Sequence, residues 1–226
     1  MKRILTAIVL SMSMVTAAAA GLGERALRTT LYGGIYINNE QAWQLEPSVS
    51  WQFHKYMAVA FGVEFTSQYN MPGRPAEIDG YRAELCDNQR NVAWFIFKPS
   101  VIFISPAVWS SSDGFFKLWF QAEPGVSLAL PPHNSLTYEL QALDGGFLIP
   151  VGYRRFPNKG LHWFYWHARL SVNFAIDRWI VGAGYALSDL DYYSARRDVT
   201  LPGGTKFHVP AKELSQSVFI SLGYSF

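Results

Sequence analysis

The sequence predicts an all-β chain: eight antiparallel strands closed into an up-and-down barrel that crosses a membrane, apolar face outward, polar lumen filled. Three observations predict it. Apolar and polar residues alternate through eight segments, each near the ~9–11 residues that a tilted strand needs to cross a bilayer. The breaks between segments are short at one end and long at the other. The N-terminus reads as an export signal.

Composition agrees. In 226 residues, Lys plus Arg is 19 and Asp plus Glu is 17. Two of the cations, Lys2 and Arg3, lie at the extreme N-terminus, which leaves 17 against 17 and a neutral body. A neutral body excludes a basic nucleic-acid footprint and an acidic disordered tail. Aromatics make up 16% and charged residues 16%, and soluble domains average about 25% charged. The single cysteine, Cys86, excludes an intrachain disulfide and a cysteine zinc site, and its polar neighbours read as an exposed loop.

The elements follow in order. Lys2 and Arg3 precede the apolar run Ile4–Val15, then Thr16 and the alanines Ala17–Ala20. Twelve apolar residues are too few for a helix spanning ~30 Å of hydrocarbon, so residues 1–20 are expected to be a cleaved signal peptide and 21–226 the barrel. No helical run of ~20 apolar residues follows. A membrane-spanning mature chain must therefore cross with strands.

The first strand, about 29–38, sets Leu31, Ile35 and Ile37 against Tyr32, Tyr36 and Asn38. The second, 43–53, sets Trp43, Val49 and Trp51 against Gln44, Glu46 and Ser50. The third, from 57, opposes Val59, Phe61 and Val63 to Ala60, Gly62 and Glu64. Strands near 93–103, 116–128, 164–176, 181–188 and 214–226 repeat the pattern. The apolar face carries no charge and is too bulky for a narrow interior, which places it outside. The other face mixes Gly, Ala and Ser with a few long charged side chains, as a filled lumen requires. Short breaks fall near 39–41, 54–56, 104–114 and 177–178, and long ones near 69–90, 131–160 and 190–213.

With these features and Phe226 at the C-terminus, the chain resembles the small eight-stranded bacterial outer-membrane barrels, the OmpA-like and OmpX-like families. In those families a C-terminal aromatic after alternating apolar residues is the signal read by the barrel assembly machinery. Phe226, Tyr224 and Leu222 match it here. The resemblance implies a multi-pass protein of the Gram-negative cell envelope in contact with outer-membrane lipids and lipopolysaccharide. It implies no cofactor, no metal and no nucleic acid.

Inside the lumen, Glu46, Glu64 and Glu123 are expected to pair with Lys98, Lys117 and Arg169, with His167 nearby. Buried charges need partners, so the network should plug the barrel. Glu46-Pro47, Lys98-Pro99 and Glu123-Pro124 recur as a charge followed by a proline, which suggests a shared bulge.

Some barrels of this size modify lipid A, so nucleophile and base pairs matter. His133-Asn134-Ser135 with Glu139 is the one His-x-Ser match, but it opens a loop. His167 and Ser171 lie about 13 Å apart along a strand. His208 with Asp191 or Asp198 has no spacing that compels a site. No enzyme is expected. The long loops hold Tyr69, Tyr81, Tyr138, Tyr153, Tyr192 and Tyr193 and a set of arginines (Arg74, Arg82, Arg90, Arg154, Arg155, Arg196, Arg197), as recognition surfaces do. The reading is a structural or surface-interaction barrel; a narrow channel or transporter for small polar solutes, or a lipid A-modifying enzyme, is the alternative.

Overall fold

Eight of the alternating segments close on themselves. The computed structural model describes residues 27–38, 42–68, 76–89, 92–130, 135–157, 162–197, 199–201, 206 and 209–226; the expected signal peptide lies outside them. The barrel strands are β1 (Leu27–Tyr36), β2 (Trp43–His54), β3 (Met57–Gln68), β6 (Val92–Ile104), β8 (Phe116–Leu130), β11 (Phe164–Ile176), β12 (Trp179–Ser188) and β13 (Ser215–Ser225). Each pairs antiparallel with the next, and β13 pairs with β1 from Arg28↔Ser225 to Tyr36↔Ser217, so the sheet has no free edge. The two-residue strand β7 (Trp109–Ser110) continues the pairing of β8 past the end of β6.

The faces fall as the alternation requires. Ile35, Trp51, Phe61, Phe103, Leu170 and Ile220 face out, while Tyr32, Glu46, Glu64, Trp94, Trp119 and Arg169 are buried inside. One short turn uses Asp177 at φ +54°, a left-handed conformation that a short polar side chain tolerates.

The three proline positions are not bulges. Pairs Leu45↔Phe65 and Ser48↔Gly62 flank Pro47 with the register unchanged. Phe97↔Leu128 and Ser100↔Gly125 likewise flank Pro99. A proline has no N–H to give, so the ladder skips pairs there without gaining a residue. In β2, the register shift falls instead between Gln52 and His54.

The long connections fold. β4 (Ala76–Ile78), β5 (Tyr81–Leu85), β9 (Ser135–Asp144) and β10 (Phe147–Pro157) form a separate sheet in the order β10-β9-β5-β4. Its turns need positive φ, supplied by Asp79-Gly80 (53° and 80°) and Gly145-Gly146 (56° and 88°). Ile78, Ala83, Leu85, Leu136, Tyr138 and Leu140 share one core with Tyr36, Trp94 and Tyr165 of the barrel mouth. Residues Leu190–Tyr193 and the one-turn helix α1 (Ser194–Arg197) complete this cap. Cys86 is not in an exposed loop: it is half-buried after β5, its N–H bonded to the Thr137 carbonyl at 3.1 Å.

Leu136 is fully buried at the join between cap and barrel. Leu136→Ala should cost about 2–5 kcal/mol of local stability. Hydrogen exchange of β5 and β9 amides should accelerate strongly while barrel amides stay protected. Equal acceleration in both would mean that cap and barrel unfold as one unit.

Candidate functional site

The lumen is built from the inward residues of all eight barrel strands. Lys98 of β6 places its ammonium 3.1 Å from Glu46 of β2 and 2.8 Å from Glu64 of β3. Arg169 of β11 bonds Glu46 at 2.8 Å and, through its second amino group, Glu123 of β8. The result is one chain of ion pairs, Glu64–Lys98–Glu46–Arg169–Glu123, every member almost fully buried. Neutral donors complete it. The Tyr36 hydroxyl donates to Glu64 at 2.6 Å and the Ser100 hydroxyl to Glu123 at 2.6 Å. The Arg169 guanidinium lies 4.2 Å above the Tyr32 ring.

Glycines make the room. At Gly62 a Cβ would overlap the Glu46 carboxylate, and at Gly125 it would lie 2.6 Å from His167 Cε1. His167 Nδ1 and the Ser127 hydroxyl are 2.9 Å apart, both residues about 2% exposed. This Ser–His pair is sealed from lipid and solvent, so no acyl substrate reaches it.

The expected network therefore gathers five of its charges, with His167 beside them. Lys117 does not join. It is exposed at the short-turn end, paired across to Ser110. Two cations against three carboxylates leave one negative charge. The third cation of the lumen is Arg28, on the same face of β1 as Tyr32, with its guanidinium 5.7 Å from the Trp119 ring. The period-2 pattern of Tyr36 and Tyr32, carried back through Thr30, reaches Arg28. That was the available signal.

Above the network the cap plugs the mouth. The Tyr192 ring meets Tyr36 edge-on at 5.1 Å, and its hydroxyl lies 3.0 Å from Thr66. The Trp94 indole donates to the Tyr192 carbonyl at 3.2 Å. At the other end a small polar cavity of about 10 Å³ lies among Arg28, Gln121 and Asn173, too small for more than about one water.

The described loop residues divide between the interior of the cap and its surface, where Tyr81, Tyr153, Arg82, Arg154 and Arg155 are exposed. Tyr138, Tyr192, Tyr193 and Arg196 are buried in the cap rather than displayed for recognition. Burial pushes the Tyr138 hydroxyl up to about 12 and pulls the Arg196 guanidinium down to about 10. Arg196 donates to the Gln89 carbonyl, Arg197 clasps Asp191 with two bonds of 2.7 and 2.8 Å, and Arg154 pairs with Asp79 at 2.8 Å. Arg82 pairs with Glu84 and Arg155 with the Ser135 hydroxyl. Tyr69, Arg74, Arg90, His133, Asn134, Asp198 and His208 lie outside the described residues. Ser135 accepts from Arg155, Ser171 accepts from Asn173, and Asp191 is held by Arg197. Phe226 donates its N–H to the Leu27 carbonyl at 3.0 Å. Tyr224 packs between Trp179 and Phe226 at 5.1 Å from each, beside the strand that closes the barrel.

No family model and no curated protein matches the chain. Its structure is similar to the N-terminal β-barrel domain of Pseudomonas aeruginosa OprF, with 6% identity, 90% of this chain and 100% of that one covered, and a TM-score of 0.38. It is similar to Neisserial surface protein A, with 11% identity, 91% and 100% covered, and a TM-score of 0.43. It is also similar to Ail, the attachment invasion locus protein of Yersinia pestis, solved with the heparin analogue sucrose octasulfate. There the identity is 10%, the coverage 88% and 97%, and the TM-score 0.37.

Arg169→Met removes the one cation that bonds Glu123 among the described residues, while Glu46 keeps Lys98. The barrel should lose about 3–5 kcal/mol in urea unfolding, because a buried carboxylate is stranded. Adding Glu123→Gln should restore part of that loss and adding Glu64→Gln should not. Equal rescue by both would show that the network acts only as a diffuse charge balance.

Proposed function

We propose that this chain is an integral barrel of the bacterial outer membrane with a structural or surface-interaction role, and that it conducts no solute. The observation that carries the reading is the pairing of an apolar outer wall with a lumen filled by paired charge and capped at its mouth. Outside, aromatic rings gather toward the strand ends, including Trp43, Phe95 and Trp163 near the cap and Trp51, Phe103 and Trp179 near the short turns. Such rings suit the two membrane–water interfaces. Inside, ion pairs fill the middle and Tyr192 with Trp94 closes the mouth. The arrangement supports a rigid wall that displays a folded cap, in contact with lipid and lipopolysaccharide. Phe226, Tyr224 and Leu222 end the closing strand, where an assembly machine would engage it.

The test is direct. In the outer-membrane fraction the protein should resist carbonate washing, and in planar bilayers it should give no steady conductance. Large, stable openings would favour the transport reading. Leu170→Arg and Val49→Arg should each cost about 2–4 kcal/mol of refolding stability if those positions meet the bilayer midplane. Tyr153→Arg, on the exposed cap, should cost less than about 0.5 kcal/mol. Equal costs at the three positions would overturn the membrane assignment.

A further inference from the structure

Arg28 stands apart from the ion-pair network. It lies at the short-turn end of the lumen, opposite Ser225 of β13 and Ser50 of β2. Its guanidinium is 5.7 Å from the Trp119 ring. Among the described residues that guanidinium makes no hydrogen bond and meets no carboxylate at ion-pair distance, and its Nε is buried without a partner. The three cations and three carboxylates of the lumen sum to zero, but a sum is not a pairing. Glu123, which the Tyr32 hydroxyl reaches at 3.5 Å, is already held by Arg169 and Ser100.

The cavity of about 10 Å³ beside Arg28 is rich in uncommitted polar groups, and no carboxylate among the described residues lines it. Ser50, Gln121 and Ser221 are each more than nine-tenths buried there, at 8%, 7% and 6% exposed. With Thr30 they make no side-chain hydrogen bond to any described residue. Asn173, also in the lining, gives its amide to Ser171. The free groups come from β1, β2, β8 and β13, so they converge from around the ring. Buried polar groups are nearly always hydrogen-bonded, so this set calls for an occupant. A water would serve the hydroxyls and the amide, which both donate and accept. It would leave the charge of Arg28 uncompensated, and a guanidinium only donates. Space for about one water excludes phosphate, sulfate and carboxylates and leaves a monatomic anion. Arg28 as a whole is half-buried at its end of the strand, which gives such an ion a way in.

We propose that this end of the lumen binds a single halide, chloride in ordinary surroundings, held by the Arg28 guanidinium, the Gln121 amide and the hydroxyls of Thr30, Ser50 and Ser221. The site goes beyond the membrane reading, because it depends on the filled lumen and not on what surrounds the wall. Each hydroxyl and the amide turns a donor toward the ion, and Arg28 gains the partner that the carboxylates do not supply. The donors lie on strands that meet only in the closed barrel, with β1 joining β13 at the seam. Chloride therefore binds the folded chain and stabilises it by mass action. The charges inside already sum to zero, so the ion adds one negative charge, and it is exchangeable rather than locked in place.

Urea titration of the full chain refolded in detergent micelles tests this, with sodium chloride replaced by sodium gluconate at constant ionic strength. Gluconate is too large for the cavity. Heat-modifiable mobility on gels reports the folded fraction. At chloride about ten times its dissociation constant, the folding equilibrium should lie about tenfold further toward the barrel than in gluconate. Arg28→Met should abolish that shift and Gln121→Met should reduce it. Lys117→Gln removes an exposed cation at the same end and should leave the shift whole. Crystals soaked in sodium bromide should show an anomalous peak beside the Arg28 guanidinium. Equal stability of the unaltered chain in chloride and gluconate overturns the proposal, as does a shift that survives Arg28→Met. Loss of the shift in Lys117→Gln would assign the ion to the rim and also overturns it. If Arg28→Met does not fold, the bromide soak of the unaltered protein decides: a peak at Arg28 supports the site, and none leaves water as the occupant.

Discussion

Charge buried inside an eight-stranded barrel has to be neutralised within the barrel, because the interior is too narrow to admit water as a solvent. Three carboxylates sit there, and the rest of the molecule is arranged around them. Lys98 and Arg169 each bridge two of them. Tyr36 and Ser100 supply neutral hydrogen bonds, and Gly62 and Gly125 give up side chains so that Glu46 and His167 have space. Lys98–Glu64 and Arg169–Glu123 join neighbouring strands, whereas Arg169–Glu46 spans the lumen from β11 to β2, so that one ion pair cross-braces the barrel as well as filling it. Two cations do not balance three carboxylates, and Arg28 beyond Tyr32 brings the interior to neutrality.

The same requirement explains the cap. The network approaches the mouth at Glu64, whose hydrogen bond to Tyr36 leads directly to the Tyr192 ring. An open mouth would let water compete for Glu64 and Lys98. Instead the connection after β12 lowers Tyr192 onto Tyr36 and Thr66, and the β4–β5 and β9–β10 hairpins cover it with an apolar core. The cap is thus an extension of the barrel interior, and Tyr138, Tyr192, Tyr193 and Arg196 are spent holding it down. Tyr81, Tyr153, Arg82, Arg154 and Arg155 stay exposed on its surface, beside the apolar end of the β9–β10 hairpin.

The inward face explains the outward one. Small inward residues are forced by long neighbours, and period 2 then sends the bulky apolar residues outward in an almost continuous belt. Where Ala122, Ala183 and Gly33 interrupt that belt, the wall is shallowly grooved.

Much of this was legible in the chain alone. Period-2 alternation is local, and it determined the eight strands, their faces and the burial of Glu46, Glu64, Lys98, Glu123 and Arg169, because a residue's face depends only on its parity within a strand. The order of short and long breaks determined which end is capped. Parity does not report height along the barrel axis, and height is set by the stagger between strands. Lys117 and Arg28 have the same parity as the network, yet Lys117 falls outside the barrel end and Arg28 falls below Tyr32. Nor does composition tell a polar loop from a folded cap. The turns at Asp79-Gly80 and Gly145-Gly146 were signals for hairpins in the long loops, but the pairing of β5 with β9 joins residues in separate loops, from Arg82↔Gln141 to Leu85↔Tyr138. Only the closed barrel, which brings those loops over one mouth, decides that Tyr138 and Tyr192 turn inward and that Phe147 is left outside.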